Sequence, residues 1–121
     1  MAINWDSLKA HYLKADWAMQ LDRLALNLLR IQVLAQSGTD EPIVRHLVRE
    51  SQFFIEWMVP TMNLETDVGF ATELVELQQL LSRWKLDGLD LWANEGSREE
   101  IAGLARQWCD RIQKQGKLRT I

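Results

Sequence analysis

Residues 16–38, DWAMQLDRLALNLLRIQVLAQSG, are the stretch on which the fold turns. Asp16 can accept hydrogen bonds from the free backbone donors of a helix start. Trp17, Leu21, Leu24, Leu28, Ile31 and Ala35 then recur every three or four residues, the period of one helical face. Gly38 ends the helix, because a chain leaving a helix commonly passes through the left-handed region that glycine adopts without strain. On a wheel at ~100° per residue, Met19, Leu26, Leu29 and Val33 gather roughly opposite the Trp17, Leu24, Leu28 and Ile31 face. Two apolar faces need two partners. A bundle core covers one; the other meets the N-terminal segment (Ile3, Trp5, Leu8, Tyr12), a second protomer, or water. Leaving such a stripe in water forgoes a few kcal/mol, at ~1.5 to 3 kcal/mol for each fully buried side chain. The stripe points to association rather than to chemistry.

Helices of the same kind follow along the chain. A short helical segment around Ile3 to Leu13 precedes the first long helix. Thr39 or Asp40 starts the second, with Glu41 and Pro42 in its first turn, Ile43, Leu47, Phe54 and Met58 on its inner face and Pro60 as its stop. Phe70, Leu74, Leu77, Leu81 and Trp84 predict a third helix from about Glu65 to Trp92, and Asp87-Gly88 is a point at which it can run on or break. Ser97 and Glu100 have the spacing of a capping box, which starts the fourth helix with Ile101, Leu104, Ala105, Trp108 and Ile112 inward and Gly116 as its end. Short connections force successive long helices to lie antiparallel, and no segment alternates as a half-buried strand does. The expectation is an all-α chain: an antiparallel up-down-up-down four-helix bundle with a short extra N-terminal helical segment, forming one domain over residues 1–121.

Composition narrows the function classes. The 121 residues are 47% hydrophobic and 26% charged with a net charge of -3, enough apolar content for one core and too little charge bias to define a nucleic-acid binder. Residues 61–96 carry two basic and seven acidic side chains, and residues 97–121 carry six basic and three acidic, so the third and fourth helices attract one another. Arg45 with Arg49, and Lys114, Lys117 and Arg119, are ordinary surface charge rather than a phosphate-binding stripe. The single Cys109 can form no internal disulfide, which fits a reducing compartment, and no signal peptide or membrane span is legible. The expected location is cytoplasmic, with no membrane or nucleic-acid partner.

One constellation has the geometry of a site. His46, Glu50, Phe53 and Trp57 follow one another at spacings of four, three and four residues, a narrow stripe along the second helix. A carboxylate one turn from an imidazole can orient it for proton transfer or ligation, and the two aromatics can shelter a small ligand. The same residues equally make a helical His–Glu pair packed beside aromatics at a helix interface. A di-iron bundle is excluded, since it needs Glu-x-x-His on two helices and Leu8 and Ile43 stand three residues before His11 and His46. One cysteine and two separated histidines make no zinc set. Glu73 and Glu76 lie on or beside a polar face, which does not converge carboxylates on a magnesium ion. No phosphate loop or nucleophile elbow occurs, so neither a catalytic residue, a metal ligand nor a cofactor is assigned. Six tryptophans are spread over the helices; Trp17, Trp84 and Trp108 read as core fillers, and Trp5, Trp57 and Trp92 as candidate partner contacts.

The text Arg49-Glu50-Ser51-Gln52-Phe53-Phe54-Ile55-Glu56-Trp57, with Ala71 to Gln78 and Arg83-Trp84, resembles small cyanobacterial proteins of unknown function over roughly half the chain. The resemblance implies the cytoplasm of a photosynthetic bacterium and transfers no catalytic residue. The leading expectation is a non-enzymatic helical bundle that acts through protein–protein association, as a homodimer or with an unidentified protein partner, through Met19, Leu26, Leu29 and Val33. The rival is a small-ligand-binding or catalytic bundle using the His46 stripe.

Overall fold

A computed structural model describes residues 4–88 and 92–119. Among these residues the chain is all-helical, with five α-helices and no strand: α1 (Trp5–Lys14), α2 (Trp17–Ser37), α3 (Glu41–Met58), α4 (Val68–Arg83) and α5 (Glu95–Arg119). Of the expected N-terminal segment, Ile3 lies outside the described residues.

Local chemistry sets most of the helix ends. Asn4 Oδ1 accepts from the Ser7 amide at 3.0 Å to start α1, and Asp16 Oδ1 accepts from the Met19 amide at 2.8 Å to start α2. Gly38 closes α2 at φ +72°, donating its amide to the Leu34 carbonyl. A Cβ there would run into the Arg98 guanidinium, which itself donates to the Ala35 carbonyl at 3.3 Å and so satisfies the end of α2 from α5. α3 begins as expected, with Pro42 in its first turn, and a 3₁₀ turn over Val59–Thr61 follows it.

Four expected boundaries are corrected. α4 starts at Val68 rather than Glu65, because side chains hold the preceding turn: Asn63 Oδ1 accepts from the Glu65 amide at 2.9 Å and Asp67 Oδ2 from the Asn63 amide at 3.3 Å. Its regular part ends at Arg83, passing into a π-turn over Trp84–Gly88, so it does not run unbroken to Trp92; residues 89–91 lie outside the described ones. α5 starts at Glu95, not at a Ser97 cap, since Asn94 Oδ1 takes the Ser97 amide at 3.0 Å and asparagine caps as well as serine. Nor does Gly116 stop α5, which continues to Arg119. Gly116 is buried instead against Leu21, whose Cβ would lie 3.8 Å from a Cβ at that position.

The helix pairs follow from the buried faces. Leu21, Leu24, Ala25, Leu28, Ile31 and Ala35 of α2 are buried, as are Ile101, Ala102, Ala105, Trp108, Cys109 and Ile112 of α5. Small residues on both helices let the axes approach closely. Arg98 at the α2 C-terminus and Gly116 at Leu21 show that the two run antiparallel. α3 lies on the other flank of α2, also antiparallel, with Asn27 beside Glu50 and Ser51 and Leu34 beside Ile43 and Leu47. α4 packs on α3 through Gln52 Nε2 to Ser82 Oγ at 3.1 Å and Gln78 Nε2 to the Gln52 carbonyl at 3.3 Å. The opposed charges of α4 and α5 meet where Arg111 Nη2 lies 2.8 Å from Glu73 Oε1. Phe70, Leu74, Leu77, Leu81 and Trp84 are buried as expected, whereas Ile43, read as inward, is 50% exposed. Leu47, Phe54 and Met58 are buried as expected, and Val44, Val48, Ser51, Ile55 and Trp57 complete the inner face of α3. Among the described residues no helix is long and apolar enough to cross a membrane.

Candidate functional site

α1 settles what becomes of the two candidate surfaces. Its packing on α3 is anchored by Tyr12, fully buried, whose ring stacks on Phe54 at 4.0 Å with an interplanar angle of 2°. The Tyr12 hydroxyl donates to the Gln20 carbonyl at 2.9 Å, with Met58 Sδ 3.0 Å away. Burial, the largest influence, pushes the phenol well above its ordinary range; the Glu50 charge adds to that and Arg23 opposes it. Gln20 Nε2 in turn donates to the Ala15 carbonyl at 2.8 Å, tying the short α1–α2 connection.

One turn before Leu8, the Trp5 ring lies over the His46 stripe. Its centroid is 4.6 Å from that of Phe53 and 6.1 Å from that of His46, and the Arg49 guanidinium sits 5.5 Å from the Trp5 ring and 5.6 Å from Phe53. Phe53 also stacks on Trp57 at 5.5 Å, and Trp57 itself is buried at 9% exposure. The structure therefore brings all four stripe residues together and sets the chain's own tryptophan on them. Trp57, read as a candidate partner contact, belongs to the core; Trp5 and Trp92 remain half-buried.

Glu50 explains why the stripe exists. Its Oε2 is 3.4 Å from His46 Nε2, while its Oε1 accepts from Asn27 Nδ2 at 3.1 Å. Asn27 is buried and also donates to the Ser51 hydroxyl at 3.3 Å. The carboxylate is thus a tie between α2 and α3, satisfying a buried amide that would otherwise be costly to desolvate. Sequence reasoning missed this tie; the signal was Asn27, a polar residue inside an apolar helix next to its core face. Among the described residues no three His, Cys, Asp or Glu side chains converge as a metal set would. Cys109 is buried, and its thiol is pushed up first by burial and then by the neighbouring Asp110 charge.

The second α2 stripe has the opposite fate. Met19, Leu26 and Val33 are 51%, 45% and 53% exposed, and Leu29 is half-buried. Among the described residues α1 does not cover them: Leu8 lines one cavity with Leu26, while Trp5 and Tyr12 hold α1 on α3. Among the described residues a groove of about 420 Å³ lies between α2 and α3, lined by Leu29, Val33, Leu34, Ile43 and Leu47 with Arg30 at its edge. This groove was not legible from helix periodicity, since its α3 wall is Ile43 and Leu47, both assigned to the core. Comparison with protein-family models, curated proteins and solved structures finds no match to the chain.

Proposed function

We propose that this chain is a non-enzymatic association module: its four long helices close as an up-down-up-down bundle, α1 braces the outside of α2 and α3, and the free α2 face receives a protein. The observation that carries the reading is the line of Met19, Leu26 and Val33, each about half exposed, opening at one end into the apolar α2–α3 groove. Single exposed apolar residues are ordinary, but a contiguous line with an adjoining groove favours a contact surface. The competing reading, a ligand-binding or catalytic His46 stripe, has less support, because Trp5 and Arg49 pack against Phe53 of the stripe and Glu50 is committed to Asn27. Nucleic acid is a poor partner for the same reason: Arg49 is spent on aromatic rings and Arg45 on Glu41.

Carbene footprinting of the protein at its natural level in an extract of its own cells tests the reading. Leu64 and Leu86, 66% and 71% exposed and far from this face in sequence, serve as internal references. Met19, Leu26 and Val33 are expected to be labelled several-fold less than their exposure relative to those references dictates. Labelling in proportion to exposure would overturn the proposal.

A further inference from the structure

We infer that the occupant of the α2 face is a second copy of this chain, with its α2 antiparallel and a two-fold axis passing beside Leu26; this rests on the association reading above. Met19 and Val33 stand seven residues before and after Leu26, ~10 Å along the helix in each direction. A two-fold rotation there sets Leu26 against the partner's Leu26 and each Met19 level with the partner's Val33.

The charges on the face obey the same symmetry. Asp22 stands four residues before Leu26 and Arg30 four after, both exposed, and among the described residues neither side chain has a hydrogen-bond or ion-pair partner. Antiparallel docking brings each Asp22 level with the partner's Arg30, twice over. Parallel docking would set like charges against one another at both positions, which is unfavourable. Arg23, a further cation at the border of this face, is held by His11, with Nη2 3.2 Å from Nε2. The groove fits this arrangement as well. It opens beside Val33, at the level where the partner's Met19 arrives, and an unbranched thioether adapts to irregular apolar space. An unrelated acidic helix would answer Arg30 but leave Asp22 on the same line unexplained; a self-complementary face accounts for both.

Sedimentation of the purified intact chain over a concentration series tests this. A monomer–dimer equilibrium is expected, and Leu26→Asp, at an exposed position, should give a monomer with unchanged helical circular dichroism. Asp22→Arg and Arg30→Asp should each weaken the dimer on the order of tenfold, two exposed ion pairs being lost by symmetry, and the double variant should regain most of that loss. Leu26→Cys should cross-link to its own copy under mild oxidation, since Cys109 is buried. A chain that is monomeric at every concentration overturns the second copy as occupant, while the association reading still stands or falls on footprinting in extract. A dimer indifferent to Leu26→Asp overturns this face as its interface. A dimer broken by Leu26→Asp whose charge variants fail to compensate overturns the antiparallel register.

Discussion

Tyr12 is the residue on which the attachment of α1 depends, and its burial has a consequence that a titration can read. A phenol whose native pKa is raised is protonated in the folded chain when the unfolded chain has begun to ionise. Its contribution is therefore fully present below the unfolded value of about 10 and is lost as pH rises above it, at up to about 1.4 kcal/mol per pH unit. Cys109, also raised by burial, acts in the same direction from a lower starting pH. Tyr12 is the chain's one tyrosine, so phenolate absorbance reports it alone. We expect the absorbance to rise in a single step together with loss of helix, rather than gradually in the folded state. Tyr12→Phe should lose ~1 kcal/mol at neutral pH, the net worth of one buried hydrogen bond, and should flatten the alkaline decline measured by urea unfolding. A gradual phenolate titration in a folded protein would refute the buried placement of this side chain.

Among the elements, α5 carries two glycines beyond its first turn, Gly103 and Gly116, and their surroundings predict opposite tolerance to size. A Cβ at Gly103 would meet nothing within 4 Å, and one at Gly116 would touch Leu21 Cβ at 3.8 Å, an ordinary contact. Alanine at either position should therefore stabilise the protein by roughly 0.5 to 1 kcal/mol through helix propensity. Leucine at Gly116 should instead cost about 1 to 3 kcal/mol by forcing α2 and α5 apart, whereas leucine at exposed Gly103 should be nearly as good as alanine. Thermal unfolding of the four variants checks the pattern. Element boundaries are also where the sequence was read least well. Asp16 and Gly38 were legible because cap and helix are local, each fixed by residues within one turn. Gly116 was misread as a stop because the closeness of Leu21 is a tertiary fact, nearly a hundred residues away in the chain. Asn94 was passed over for Ser97 because either residue type caps equally well, and only the built turn selects one.

For the whole molecule, periodicity sufficed to identify the core faces of α2, α4 and α5, since those stripes face one neighbour set and little else. It did not decide where the N-terminal segment lies: α1 could run along the free α2 stripe or along α3, and what selects α3 is the tilted contact of Trp5 with Phe53 and the stacking of Tyr12 on Phe54. The choice leaves an uneven distribution of stability. α2 is buried against both α5 and α3, and its core residues Leu21, Leu24, Leu28 and Ile31 are 0% exposed. α1 buries Tyr12 alone, with Trp5, Leu8 and Leu13 half-buried, and touches its neighbours along one side. Opening α1 breaks few apolar contacts, whereas opening α2 dismantles the core, so the two should exchange amide hydrogens by different routes. In native-state hydrogen exchange, amides at the centres of α2 and α5 should follow the global unfolding free energy as urea rises. Those of α1 should exchange through a sub-global opening with a smaller urea dependence. Trp5→Ala should lower the protection of α1 several-fold and leave the centres of α2 and α5 almost unchanged. Loss of protection across all helices on that substitution would mean that α1 is part of the cooperative core rather than a brace laid on it.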